Sequence, residues 1–167
     1  MDGEPNFVDA NWVMWKSEWQ FWTSEEAEHQ LAEHGRDLLI RVARKNLLPL
    51  KHRLYLLDKE SEIVPGIRAI AASGHTPGLM ALSISSGNEQ LLCISDVVLV
   101  PIHLAEPGWC ASTDVIQEQV VATRQKLLDK AAAEKSLVMA FHFPFPGLGH
   151  VLRKDKAWKW QPIKDIS

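Results

Sequence analysis

The sequence lacks several features that assign proteins to specialised classes. None of its apolar runs approaches the roughly 18 residues that span a bilayer, and nothing at its N-terminus resembles a signal peptide. Its lysines and arginines form no basic patch, and a net charge of −3 argues against a nucleic-acid surface, which must neutralise phosphates. No internal repeat or low-complexity segment is present. These absences predict a soluble, cytoplasmic protein that binds neither nucleic acid nor membrane.

Cysteine is also scarce, with only Cys93 and Cys110, which are too few and too far apart for a zinc ribbon. Cys93 lies in an apolar run, so a buried free thiol is favoured over a disulfide. The hydrophobic content of 46% and the charged content of 23% are ordinary for a globular protein. A length of 167 residues predicts a single domain, residues 1–167, with a substantial core.

A glycine-rich turn containing His75 joins two apolar, strand-like runs, residues 67–72 and 79–84. Gly74 and Gly78 flank the histidine, and Pro77 fixes one backbone torsion, which is typical of a tight turn. The turn therefore presents an imidazole at the end of a strand.

Two further apolar runs end on potential metal ligands. Residues 91–95 lead to Asp96, and residues 137–141 lead to His142. Considered alone, each residue has an ordinary structural interpretation. His75 would be a turn residue, Asp96 would be a helix cap or part of an Asx-turn, and His142 would be a packed aromatic residue. Open α/β sheets gather metal ligands at one rim by ending several strands on such residues, so the three together predict a metal site.

The remaining pattern predicts helices on both sides of these strands. Thr23 begins a capping box for a helix that would run to about His34. A second apolar stripe reaches residues 47–48 and is stopped by Pro49. The longest helix would be capped by Thr113 or Asp114 and would end near residue 135.

The pattern of the other segments predicts a loop, a turn and a tryptophan-rich segment. Residues 97–104 look extended or loop-like and would overhang the site. A turn at Asp155 and Lys156 joins two final strands. The tryptophans of residues 11–22 either pack the junction of sheet and helix or line a substrate mouth.

The residues named above carry a family resemblance. The turn Gly-His-Thr-Pro-Gly at 74–78, followed by Asp96 and His142, resembles the metallo-β-lactamase superfamily. The segments His-Phe-Pro-Phe-Pro-Gly-Leu-Gly at 142–149 and Glu-Trp-Gln-Phe-Trp at 18–22 resemble the branch with methyl parathion hydrolase and the acyl-homoserine-lactone lactonases. The resemblance extends from about Asp2 to Trp160.

The resemblance implies an α+β fold of the αββα sandwich type and a centre with two zinc ions, or with manganese or iron. His75 would bind the first metal, His142 the second, and Asp96 both. Metal-activated hydroxide would then attack an ester, a lactone or a phosphoester of a small-molecule substrate. Relatives tend to carry histidines near residue 103, so His103 joins Asp96 as a candidate catalytic residue.

The first metal-binding signature of the superfamily, His-x-His-x-Asp-His, is absent. No two histidines of this sequence are two positions apart. The seven are His29, His34, His52, His75, His103, His142 and His150. In relatives the signature precedes a stretch like residues 2–7, so we expect this chain to be the C-terminal part of the fold, supplying two ligands per metal. Leu79 and Ser95 also replace a histidine and a glycine that are usual in relatives.

Two hypotheses from different classes follow. The chain is part of a metal-dependent hydrolase and is active only with a missing N-terminal half. Alternatively, it is a non-catalytic fold remnant that acts as a homo-oligomeric assembly or binding module. An apolar sheet face left without its cover favours a homodimer in either case.

Overall fold

A small layer of helices with a two-stranded sheet begins the fold, which is described by a computed structural model over residues 6–163. Its elements are β1 (Trp12–Trp15), α1 (Lys16–Thr23), α2 (Glu26–Gln30), α3 (Arg36–Leu47), a 3-10 helix (Leu48–Arg53) and β2 (Leu54–Leu57). Strands β1 and β2 pair in parallel, with Trp12 opposite Leu54 and Trp15 opposite Leu57. The buried side chains of Phe21, Ala27 and Ile40 hold the three α-helices together.

A seven-stranded sheet forms the rest of the fold. Its elements in chain order are β3 (Ser61–Val64), β4 (Ile67–Ala71), β5 (Met80–Ser86), β6 (Glu89–Cys93), α4 (Ile102–Ala105), α5 (Gln117–Glu134), β7 (Leu137–Met139), β8 (Leu148–Lys154) and β9 (Ala157–Pro162). The strands lie side by side in sequence order. A 3-10 helix at Ser95–Val97 follows β6.

The direction of the strands decides where the predicted ligands lie. Strand β5 is antiparallel to both β4 and β6, and β7 is parallel to β6. Strands β4, β6 and β7 therefore run the same way and end at the same edge of the sheet. The predicted strand ends are confirmed in this respect.

One face of the sheet is covered by α5 and carries the core. Leu127, Leu128 and Ala131 of the helix are buried together with Leu92 and Val138 of the strands. This packing is what the apolar stripe of the longest predicted helix requires.

The opposite face of the sheet, which we call the open face, is apolar but only partly buried. It is built from half-buried aliphatic side chains that stand opposite one another across neighbouring strands. They are Ile67, Leu82, Ile84, Leu91, Leu137 and Leu148. Met139 on the same face is 39% exposed.

Several predicted boundaries are wrong. The helix expected to reach His34 ends at Gln30, and the Thr23 hydroxyl donates to the Trp19 carbonyl at 2.6 Å instead of capping it. Pro49 was expected to end the second helix, but the chain changes there from an α-helix to a 3-10 helix. The supposed loop of residues 97–104 contains the start of α4.

The long helix shows the most informative difference, because it begins at Gln117 and neither Thr113 nor Asp114 caps it. The turn at Asp155 between β8 and β9 is confirmed. Among residues 6–163 no helix is both long and apolar enough to cross a membrane.

Candidate metal-binding site

The turn that carries His75 is clamped between two helices. A Cβ added at Gly74 would lie 2.3 Å from the backbone of Val120 in α5, and one added at Gly78 would lie 2.3 Å from the backbone nitrogen of Glu18 in α1. Only glycine permits such close approach. The two glycines therefore let both helices press against the turn and fix the position of His75.

Asp96 follows β6 through a strained residue. Ser95 has a φ of +46°, in the left-handed region, and its hydroxyl donates to the Met80 carbonyl at 2.6 Å. A non-glycine residue in this region needs support from its surroundings, and the hydrogen bond provides it. The serine that replaces the usual glycine is thereby accommodated, and Asp96 keeps its place at the strand end.

The structure brings the three predicted metal ligands together. The Nε2 atom of His142 lies 3.1 Å from Oδ1 of Asp96, and Nε2 of His75 lies 3.9 Å from Oδ2 of the same carboxylate. All three side chains are partly open to solvent, from 19% for His75 to 45% for His142. The Asp96 carboxylate thus stands between two imidazoles and offers one oxygen to each.

His75 also meets a second carboxylate on its other side. Its Nδ1 lies 2.9 Å from Oδ1 of Asp114, whose side chain is wholly buried, and the other oxygen of Asp114 accepts the Ala111 N–H at 2.7 Å. The hydrogen bond to Asp114, aided by the charge of Asp96, raises the pKa of His75 against the opposing effect of burial. Burial would raise the pKa of Asp114, but the hydrogen bonds from His75 and Ala111 outweigh it, and that pKa is lowered.

The ion pairs of Asp96 among the described residues are with His75 and His142 and do not include His103. Its side chain on α4 is buried, and its Nδ1 has no hydrogen-bond partner among the described residues. Burial and the charge of Arg124 lower its pKa, and the charge of Asp114 opposes them in part. The imidazole of His103 is therefore packed in the interior within reach of the charge of Asp114, and its catalytic role stays a prediction.

A buried arginine ties the loops behind the site to α5. The guanidinium of Arg124 is fully buried and donates to the carbonyls of Val97, Pro107 and Trp109 at 2.6–2.9 Å. Val97 directly follows Asp96, so the arginine anchors the segment that carries the bridging carboxylate. Burial lowers the pKa of Arg124, and the charge of Asp114 counteracts this.

The described residues fit part of a two-metal centre but not all of it. Imidazole nitrogens and a carboxylate are suitable zinc donors, and the carboxylate behind His75 is the support that metal-binding histidines usually have. However, His75 with Asp96, and His142 with Asp96, would give each ion two protein donors, where a catalytic zinc takes three. Over residues 6–163 no group of three or more His, Cys, Asp or Glu side chains is arranged so that it could hold a metal ion.

Two residues that support the site were not identified from the sequence. The sequence predicts Asp114 as a possible helix cap, because aspartate before a helical stripe usually is one. Glu18 accepts the Gly78 N–H at 2.9 Å with one oxygen and the Trp22 indole N–H at 2.8 Å with the other. Only its place in the Glu-Trp-Gln-Phe-Trp segment marked it, and that pattern does not reveal its contact with the turn.

Comparison with solved structures identifies the fold. The structure of AidC, described as a dizinc quorum-quenching lactonase in complex with the product N-hexanoyl-L-homoserine, superposes with a TM-score of 0.88 at 27% identity, over 99% of this chain and 58% of AidC. The hydrolase AbOPH of the β-lactamase superfamily superposes with a TM-score of 0.85 at 25% identity, over 100% of this chain and 60% of AbOPH. The chain has the metallo-β-lactamase fold.

Less similar members of the same superfamily agree on the fold alone. A mutant of the B. thuringiensis lactonase AiiA with N-decanoyl-L-homoserine bound has a TM-score of 0.60 at 16% identity, over 80% of this chain and 47% of AiiA. No protein-family model and no curated protein sequence matches the chain. This metallo-β-lactamase-fold chain spans about three-fifths of the length of AidC and AbOPH.

Proposed function

We propose that this chain supplies His75, Asp96 and His142 to a two-metal centre that hydrolyses an ester, lactone or phosphoester bond in a small molecule. The observation that carries the proposal is the shared carboxylate, with Nε2 of His142 at 3.1 Å from one oxygen and Nε2 of His75 at 3.9 Å from the other. Carboxylates that accept a different partner at each oxygen are suited to bridge two ions. The description of AidC as a dizinc lactonase favours zinc.

The donor count requires ligands from a further stretch of polypeptide. Two donors per ion fall short of the three that hold a catalytic zinc, so the site is completed either by a segment that carries His-x-His-x-Asp-His or by a second protein molecule. Zinc, when bound, lowers the pKa of a coordinated water to about 7. Asp96 would supply a donor to both ions, His75 would supply one to the first ion, and His142 would supply one to the second.

The substrate class is inferred from the relatives. AidC is described with an acyl homoserine product and AbOPH as a hydrolase. Phe141 beside the cluster is 78% exposed and packs edge-on against His142. This surface suits a substrate with an apolar part.

Cobalt(II) titration tests the proposal directly, because cobalt replaces zinc and its absorption reports the ligands. We expect weak binding by the isolated chain and none by Asp96→Asn, with Asp129→Asn on the exposed side of α5 as a control that binds like the unaltered chain. Adding a segment that carries His-x-His-x-Asp-His, in trans or by fusion, should tighten binding and produce hydrolysis. If Asp96→Asn binds cobalt as well as the unaltered chain does, the proposal is wrong.

The open face favours a second candidate function, that of a homo-oligomeric assembly module. Its half-buried leucines and isoleucines form a continuous apolar surface across β4 to β8. Such surfaces usually mark interaction sites. Sedimentation of metal-free protein tests this candidate, because an assembly module should self-associate without metal.

A further inference from the structure

The position of a proton on His75 follows from the buried residue behind it. Asp114 is wholly buried and already accepts the Ala111 N–H with one oxygen, and an aspartate carboxylate can only accept hydrogen bonds. The 2.9 Å contact between its Oδ1 and Nδ1 of His75 is therefore donated by His75. In the neutral imidazole only one nitrogen carries a proton, so Nε2 is left with a lone pair.

That lone pair faces the candidate metal site, since Nε2 is the atom that lies 3.9 Å from the Asp96 carboxylate. A metal ligand must present a lone pair, and the alternative tautomer would present an N–H instead. The nitrogen that faces the site is the one that has to be free of hydrogen.

Asp114 is itself held so that it cannot turn away. Its second oxygen accepts the Ala111 N–H at 2.7 Å, and the following backbone is joined to the histidine turn. The Val115 N–H donates to the His75 carbonyl at 3.2 Å, and the Ile116 N–H donates to the Gly74 carbonyl at 2.8 Å. The lead-in to α5 and the turn thus form one hydrogen-bonded unit.

We propose that Asp114 is a positioning residue that holds His75 as the Nδ1–H tautomer and thereby aims the Nε2 lone pair at the metal site. The tautomer itself is a property of the metal-free chain. Its use in metal binding rests on the proposed function.

The substitution Asp114→Asn should reverse the tautomer. The Ala111 N–H can only donate, so it keeps the single amide oxygen of the asparagine, and the amide N–H₂ then faces Nδ1 of His75. To accept this hydrogen bond, Nδ1 must lose its proton and Nε2 must gain one. The side chains have nearly the same size, so the fold has little reason to change.

Nitrogen–proton correlation spectra of the imidazole rings, recorded on metal-free protein at about pH 9 where histidines are neutral, measure the tautomer. His75 should be protonated at Nδ1 in the unaltered chain and at Nε2 in Asp114→Asn. His150 is an internal control, because its Nδ1 faces the Ser136 carbonyl at 3.1 Å, so it should be an Nδ1–H tautomer in both proteins. An Nε2–H tautomer in the unaltered chain, or an unchanged His75 in a folded variant, would overturn the proposal.

Cobalt(II) affinity, measured by chelator competition, gives the second readout. Loss of an outer-shell carboxylate typically weakens metal binding 10- to 100-fold, so Asp114→Asn should bind cobalt about that much more weakly, and Asp129→Asn should not. If the tautomers are as expected but the unaltered chain binds no cobalt, the proposed function fails and the positioning of His75 stands. If cobalt binds equally to both proteins, the positioning role is wrong and the proposed function stands.

Discussion

The Nε2 atom of His142 lies 3.1 Å from Oδ1 of Asp96, so the last residue of the predicted ligand set meets the carboxylate that also faces His75. The two residues reach this contact from the ends of parallel neighbours, β6 and β7. The three predicted ligands are therefore in register with one another in the metal-free chain.

The isolated chain should show no strong hydrolase activity on lactones or phosphotriesters. Each ion would have two protein donors, and an ion held so loosely is lost on dilution. Turnover should stay near the uncatalysed rate with zinc present, and Asp96→Ala should change it little. Robust turnover that disappears in Asp96→Ala would mean that the remaining ligands come from this chain or from its copies.

Replacing Arg124 should destabilise the fold more than any surface change on the same helix. Arg124→Leu leaves the carbonyls of Val97, Pro107 and Trp109 without their hydrogen-bond donor, and each unsatisfied buried group costs about 1–3 kcal/mol. We expect a loss of at least about 3 kcal/mol in the free energy of unfolding, measured in urea. Lys126→Ala, on the exposed side of α5, should stay within about 0.5 kcal/mol of the unaltered chain. Equal effects of the two substitutions would contradict the role given to the arginine.

Adding one methyl group at Gly78 should disturb the histidine turn. An alanine Cβ there would lie 2.3 Å from the backbone of Glu18, so α1 or the turn must move. Overpacking of this kind costs about 1–3 kcal/mol. Gly108→Ala is the matched control, because no heavy atom lies within 4 Å of the added carbon and the backbone there is not left-handed. Thermal unfolding of the two variants should separate them clearly.

His103 should make the fold less stable in mild acid. Its folded-state pKa is lowered, mainly by burial, whereas the unfolded chain has the ordinary value of about 6.5. Above pH 6.5 the His103 imidazole is neutral in both the folded and the unfolded state, so it does not make the stability depend on pH. As the pH falls below 6.5 the unfolded chain takes up a proton that the folded chain refuses, so stability declines by at most about 1.4 kcal/mol per pH unit until the folded-state pKa is reached.

The difference in unfolding free energy between the unaltered chain and His103→Gln isolates this effect. We expect this free-energy difference to be constant above about pH 6.5 and to change as the pH falls below that value, with a chelator present throughout. A difference that is flat from neutral to acid pH would show that His103 titrates normally in the folded chain.

Self-association through the open face can be tested without reference to metal. Analytical ultracentrifugation at micromolar concentration should show a homodimer, because the half-buried side chains need a cover. Met139→Lys places a charge on that face at a position already 39% exposed, so it should shift the equilibrium to monomer without unfolding the protein. If the unaltered chain instead sediments as a monomer and unfolds cooperatively, the open face needs no partner.

The sequence was sufficient to predict the strands of the site because their signals are local. Apolar runs that end on His75, Asp96 and His142, with glycine turns between them, leave few alternatives for where a strand stops. The common direction of β4, β6 and β7 then brings the ends to one edge. The resemblance predicted the fold for the same reason, since it rests on those strand-end motifs.

The contact of Asp114 with His75 and the burial of His103 could not be predicted, because distant parts of the chain make both environments. Aspartate ahead of a helical stripe is normally a cap, and only the tight approach of Gly74 to α5 brings Asp114 under the imidazole. His103 lies in a short helix that the apolar, proline-containing segment did not reveal, and its burial depends on Arg124 and the loops that it anchors. The predicted ends of helices were wrong for a similar reason where no strong cap or breaker marks them, as at Gln30.

The parallel pairing of β6 and β7 has a consequence for the order in which the site is assembled during folding. Strands β4, β5 and β6 are joined by short turns and can pair as soon as they are made, which places His75 near Asp96. The connection from β6 to β7 instead passes through α4 and α5, and a crossover of this length closes slowly because its loop entropy is lost before the strands pair. His142 can reach Asp96 only once β7 has paired with β6, so we expect this contact to form after the one between Asp96 and His75.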